Sequence, residues 1–191
     1  MTAGGQDQTH VHDHADGHDH HAGSWKPAEG WQRTASTAAA DIAAGIGFAA
    51  VLAGLSVLLN TPITPANGLI WGLVGFLTFS LAPSAGMPPE LPGMPAADLL
   101  ARQLWWWFTA AATGAGLGMM LLLRTRLWIA LGLGVIVLPH IIGAPAPVTH
   151  GTAVPALLAT SFAANALAAA AIFWLTLGSA LGWIMSRTQQ Q

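Results

Sequence analysis

Five apolar runs follow one another along the chain, at about residues 34–59, 66–85, 97–123, 127–143 and 154–185, with short polar or proline-rich breaks between them. A helix needs about 20 residues to cross the hydrocarbon core of a bilayer. Each run therefore predicts a membrane-spanning helix. The fourth is short and ends at Pro139, so it predicts a marginal or kinked span. Residues 1–33 show no apolar period and are rich in His, Asp and Gly, the pattern of a disordered polar tail. The chain divides into this tail, a helical membrane domain over residues 34–187, and a polar end over 188–191. The expected fold is an all-α polytopic membrane bundle of about five transmembrane helices, because a backbone exposed to lipid must satisfy its own hydrogen bonds.

Composition agrees with the pattern. Hydrophobic residues make up 53% of the 191 and charged residues only 7%, whereas a soluble domain carries about 25% charged. The net charge of −2 leaves no basic patch for nucleic acid. The absence of cysteine excludes disulfides and thiolate metal sites. Lys26 is the sole lysine and no GxxxxGK[ST] run exists, so there is no P-loop for ATP. Residues 1–24 are polar throughout, unlike a secretory signal. No Ser/His/Asp arrangement and no HExxH argue for catalysis, and the chain reads as a non-enzyme without a permanently bound cofactor.

GxxxG spacings at Gly68/Gly72, Gly114/Gly118 and Gly178/Gly182 predict close helix packing. Arg124 and Arg126 between the third and fourth runs, and Arg187 after the fifth, fall on one side of a five-span chain. The positive-inside tendency makes that side cytoplasmic, with Trp71, Trp128 and Trp183 near the same boundary as an aromatic belt and Trp25 and Trp31 marking the outer one. Lys26 and Arg33 argue weakly the other way. The tail, the loop after the second run and the loop after the fourth are then all outside.

Three features on that face carry candidate chemistry. The first is the stretch HVHDHADGHDHHAG, in which His10, His12, His14, His18, His20 and His21 are interspersed with Asp13, Asp16 and Asp19. Neutral imidazole binds Zn, Cu, Ni and Co, and carboxylates can complete the shell. A polar linker or a tag is the bland alternative, but tags are uninterrupted His. Affinity order favours Cu or Ni over Co, so the tail does not name its metal.

The second is GMPPELPGMPAADLLARQLWWW, whose four prolines from 88 to 95 forbid a regular helix. Glu90 sits inside this loop with no cation near it in sequence. Asp98 suits the start of the next helix, where it caps or meets the positive dipole end, and it can pair with Arg102 four residues on. A ligand role for Glu90 and Asp98 stands beside that structural one. The third is LPHIIGAP, where His140 at membrane depth is a functional candidate; the bland reading bonds it to carbonyls freed by Pro139. His150 is weaker. Asp41 faces either the bundle or the interface, Asn165 suits hydrogen bonding between helices, and Trp105, Trp106 and Trp107 read as anchors.

EGWQRT after a His-rich stretch, then LAPSAGMPPELPGMPAADLLARQLWWW, LPHIIGAP and FWLTLGSALGW, resemble the CbtA family over about residues 10–187. That family is a predicted cobalt transporter subunit of bacteria. The resemblance implies a bacterial inner-membrane protein linked to cobalamin metabolism, with a small single-span partner, CbtB, bearing its own histidines. It brings forward the tail histidines, Glu90, Asp98, Arg102, Gln103 and His140. It also implies a hydrophobic helix ahead of the His-rich stretch, where this sequence has polar residues straight after Met1; a shorter variant and a misassigned start are the two explanations.

The combined expectation is a subunit that takes up a divalent metal, cobalt by the resemblance, with its outer tail collecting the ion for an intramembrane path near Glu90, Asp98 and His140. Two alternatives stay open. One is a membrane scaffold or accessory subunit with a metal-buffering tail; the other is the same transport role for nickel or zinc. Besides lipid and the CbtB-like partner, an oligomer is a candidate assembly, because the helices offer few polar residues for a path.

Overall fold

A computed structural model describes residues 30–148 and 151–188. The described residues are helical with connecting loops and form no strands. The helices are α1 (Trp31–Leu58), α2 (Gly68–Gly86), α3 (Leu99–Leu123), α4 (Arg126–Ile142) and α5 (Ala156–Thr188). The expected runs match these within a few residues. Four of the five are long and apolar enough to cross a membrane. The 17 residues of α4 extend about 25 Å at 1.5 Å per residue, somewhat less than the roughly 30 Å hydrocarbon core.

The chain separates into two units, Met1–Asp41 and Ile42–Gln191. Described residues of the first unit form the opening turns of α1. Thr34 and Thr37 donate their hydroxyls back to the carbonyls of Gly30 and Arg33. Asp41 is exposed and lines a shallow depression with Arg33, Thr34 and Thr37.

Within the second unit, α2 lies against α5 and α3 against α4. The α2–α5 contact is made by glycines. A Cβ on Gly68 would sit 2.5 Å from the carbonyl oxygen of Gly178, and one on Gly72 would strike that of Trp174. Gly182 faces Thr64 just before α2. Two of the three GxxxG spacings thus pack against each other, letting the backbones approach as lipid-embedded helices require. The third does not. A Cβ on Gly118 would meet nothing, and one on Gly114 only the Thr78 methyl at 3.5 Å. The α3–α4 contact uses Gly116 and Gly132 instead, each placed 2.5–2.6 Å from the other's carbonyl oxygen by a built Cβ.

The core centres on Leu52, Ile63 and Trp174. Trp174 stacks on Phe79 (5.4 Å, 9°) and meets Phe48 at 4.7 Å, and its indole N–H donates to Ser80 Oγ at 3.0 Å. Phe79 and Ser80 lie in a π-helical turn at Leu77–Leu81 within α2. An α-helix does not place three successive residues on one inward face. The wider turn, a local device common at functional sites, lets Thr78, Phe79 and Ser80 all engage neighbours.

Two sequence readings change here. Pro139 does not end α4, which runs on to Ile142 and stops at Gly143 (φ 93°). Pro139 lies in the last turn, where its missing N–H removes one helical bond, and Gly143 N–H donates to the Pro139 carbonyl at 3.0 Å. Asn165, expected to bond between helices, is exposed on α5. Large apolar side chains are exposed along every helix, which suits a lipid surround and would be untenable in water.

Candidate functional site

The proline-rich loop and the termini of three helices meet at one end of the bundle. The loop PPELPGMP cannot propagate a helix, and it reverses at Gly93 (φ 88°). It is tied by Met94 N–H to the Leu91 carbonyl at 3.1 Å and by Leu91 N–H to the Met94 sulfur at 3.3 Å. This fold-back sets Glu90 beside the first turn of α3.

There Glu90 Oε2 lies 3.3 Å from Arg102 Nη2, with both side chains partly exposed. Asp98 is the N-cap of α3, its Oδ1 accepting from Ala101 N–H at 3.0 Å. The expected capping role of Asp98 is therefore present, and its expected pairing with Arg102 is replaced. A cap residue lies outside the helical φ/ψ region, so the four-residue spacing that joins charges along a helix does not operate from it. Arg102 turns instead to Glu90, twelve positions earlier. That partner was invisible to a search for a neighbouring cation, because a proline loop supplies the closure.

His140, half-buried in the last turn of α4, meets the edge of Trp105 with ring centroids 5.9 Å apart and planes at 75°. It does not bond to the carbonyls around Pro139. Trp105 itself is buried, not an anchor. A Cβ on Gly86, at the end of α2, would strike its ring and lie 3.1 Å from Ala144 beyond α4. Of the three successive tryptophans, Trp105 turns inward and Trp107 outward to 63% exposure, since neighbours on a helix point about 100° apart. At the opposite end Arg187 lies 4.2 Å over the Trp183 ring, while Trp71 packs against the core rather than standing free.

Thus Glu90 and Arg102 lie one helical turn from Trp105, and Trp105 joins α2, α3 and α4. Among the described residues no three of His, Asp and Glu converge on one metal position; Asp98 is committed to its cap. The candidate ligands His10, His12, Asp13, His14, Asp16, His18, Asp19, His20 and His21 lie outside the described residues, as does His150.

Below Trp105 the interior contains polar groups that the sequence reading passed over. Thr109 and Thr113 continue the same line of α3 at four-residue intervals, and both are buried. Thr78 in the π-helical turn of α2 is buried as well. The hydroxyls of all three, and the Trp105 indole N–H, have no hydrogen-bond partner among the described residues. The 105/109/113 spacing was the available signal. Alongside, a cavity of about 740 Å³ opens between α1, α2 and α3, bordered by Leu55, Trp71, Thr78, Ala110, Gly114 and Gly118.

Comparison with known proteins adds one match. The family model described as a probable cobalt transporter subunit (CbtA) covers residues 2–186. No curated protein matches, and no solved structure does.

Proposed function

The chain belongs to the CbtA family, and from that premise we propose that it is the membrane subunit of a cobalt uptake system in the bacterial inner membrane. The observation that carries the reading is that two pairs, Glu90 with Arg102 and Trp105 with His140, lie at the same end of an apolar helix bundle. Charged and imidazole groups at membrane depth are costly and belong to pathways or partners. Under the positive-inside reading this end is the outer one, since Arg124, Arg126 and Arg187 lie at the other.

The His/Asp tail collects Co2+ through several weak, exchangeable contacts and raises its concentration at the mouth. Glu90 then serves as the entry carboxylate. Arg102 holds it in place while no ion is present, and an arriving cation competes with the guanidinium for the same oxygen. His140 supplies an imidazole, and Asp98 a carboxylate when it leaves its cap. Entry down a potential of about 100 mV gives a doubly charged ion roughly 4.6 kcal/mol, at about 2.3 per charge. That drives uptake without ATP.

Three observations suit assembly with a partner, a CbtB-like single-span subunit: the word subunit in the family description, the few polar groups inside this chain, and the lack of three converging ligands among the described residues. A partner histidine would complete the coordination.

The test is uptake of labelled cobalt by cells with and without the gene, its neighbours intact. Uptake should depend on the gene and should fall with Glu90→Ala and His140→Ala. Deleting residues 1–24 should weaken uptake at low cobalt and spare it at high cobalt. Nickel and zinc as competitors rank the metals. Full uptake by both point variants, with the tail deletion lowering only metal binding, would favour the buffering scaffold.

A further inference from the structure

We propose that Trp105, Thr109, Thr113 and Thr78 line a hydrated seam inside the bundle, and that this seam is the route along which a cation and its water pass from the Glu90–His140 end toward the middle of the membrane. The inference rests on the transport reading above for its cargo, though not for its hydration.

Four observations carry it. Trp105, Thr109 and Thr113 recur every fourth residue, so they share one stripe of α3. Thr109 is fully buried, Thr113 is 3% exposed and Thr78 6%. Among the described residues, none of their hydroxyls, nor the Trp105 N–H, reaches an acceptor or donor. A threonine inside a helix ordinarily turns its hydroxyl back to the carbonyl four residues earlier, as Thr37 and Thr160 do here. The three buried threonines do not.

An isolated buried hydroxyl left without a partner costs about 1–3 kcal/mol. A cluster along one stripe is therefore expected to be satisfied by something other than protein, and water, which makes about three bonds to such buried groups, is small enough to do so.

Placement fits a route. At 1.5 Å per residue, Thr109 and Thr113 lie about 15 and 21 Å from the start of α3, and so flank the midpoint of that 25-residue helix. The upper end of the stripe is Trp105, whose ring meets His140 and which stands one turn from Arg102 and its partner Glu90. Thr78 approaches from the other side, its methyl reaching Gly114. Its position in a π-helical turn adds to the case, since such turns recur at functional sites. Hydroxyl and carbonyl oxygens are hard donors that tolerate a divalent ion retaining part of its water shell.

The chain has no cysteine, so single cysteines report on hydration directly. A thiol reacts with a charged, membrane-impermeant methanethiosulfonate only as the thiolate, and that requires water. Thr109→Cys and Thr113→Cys would be made in the full chain in native membranes, with Ala96→Cys in the exposed loop as the reactive reference and Leu133→Cys on the lipid face of α4 as the silent one. The seam predicts labelling of both threonine positions, slowed by added Co2+, with Leu133→Cys unlabelled. Labelling of Ala96→Cys alone, with both threonine positions silent, overturns it. Labelling that cobalt does not slow, in membranes whose wild-type protein takes up no cobalt, keeps the wet seam and removes the transport reading. Cobalt uptake with both positions silent removes the seam and keeps the transport reading.

Discussion

The two faces of α2 differ in the way they are closed. Toward α5 the contact is glycine against glycine, with Gly68 and Gly72 seated on Gly178 and its neighbours. Its one buried indole N–H is satisfied by Ser80. Toward α3, Gly86 seats the Trp105 ring and the Thr78 methyl approaches Gly114, while the Trp105 N–H and the Thr78 hydroxyl have no partner among the described residues. Both faces exclude bulk solvent, yet only the first is complete as protein. The contrast separates a seam that fastens the bundle from one whose groups, on the proposed reading, are reserved for something that passes through. Counting small residues would not separate them, because α3 carries its own GxxxG and leaves it open to the cavity.

The largest effect expected from breaking this contrast is at Gly72. Gly72→Leu drives a side chain into the Trp174 backbone, and overpacking of that kind costs about 3 kcal/mol or more where the backbone has no room to yield. Thermal unfolding and size-exclusion of the detergent-solubilised protein should show loss of the folded bundle. Gly118→Leu, at the open GxxxG, should leave unfolding unchanged in the same assay.

Next is Ser80→Ala, which strands the Trp174 N–H at a cost of about 1–3 kcal/mol, read as a lower unfolding temperature with cobalt uptake per folded molecule unaltered. Thr109→Val and Thr113→Val invert that result. They remove hydroxyls that no atom of the described residues bonds, so the unfolding temperature should hold while uptake falls. The smallest effect on stability is expected at Glu90→Gln, because a partly exposed ion pair contributes roughly 0–1 kcal/mol. Its uptake should nevertheless drop at low cobalt, since the amide carries no charge for the arriving ion.

The sequence made a good part of this legible. Run length alone located the helices, because the bilayer sets a length that the chain must meet. The Asp98 cap and the packing of two glycine pairs were readable for similar reasons, as each is a local rule acting on neighbours. What stayed hidden depends on how helices meet. Gly116 and Gly132 form no motif within either helix and become a pair only when α3 and α4 cross. Three adjacent tryptophans look alike until packing turns Trp105 inward. The π-helical turn at Leu77–Leu81 contains no proline or glycine of its own, and Pro83 just beyond it reads as an ordinary helix irregularity until the turn is seen to hold Thr78 and Ser80. Glu90 found its arginine across a loop whose closure spacing does not encode. For the candidate site, chemistry-bearing residues were identifiable at Glu90, Asp98 and His140, whereas the hydroxyl stripe was not, because threonine in an apolar helix is usually satisfied by its own backbone.

On the proposed reading, the threonine stripe of α3 carries the ion and the α2–α5 contact does not. Initial uptake of labelled cobalt, compared at matched membrane levels between cells bearing Thr109→Val together with Thr113→Val and cells bearing Ser80→Ala, tests it most directly. The double variant should lose gene-dependent uptake while Ser80→Ala retains it. Wild-type uptake by the double variant would contradict it.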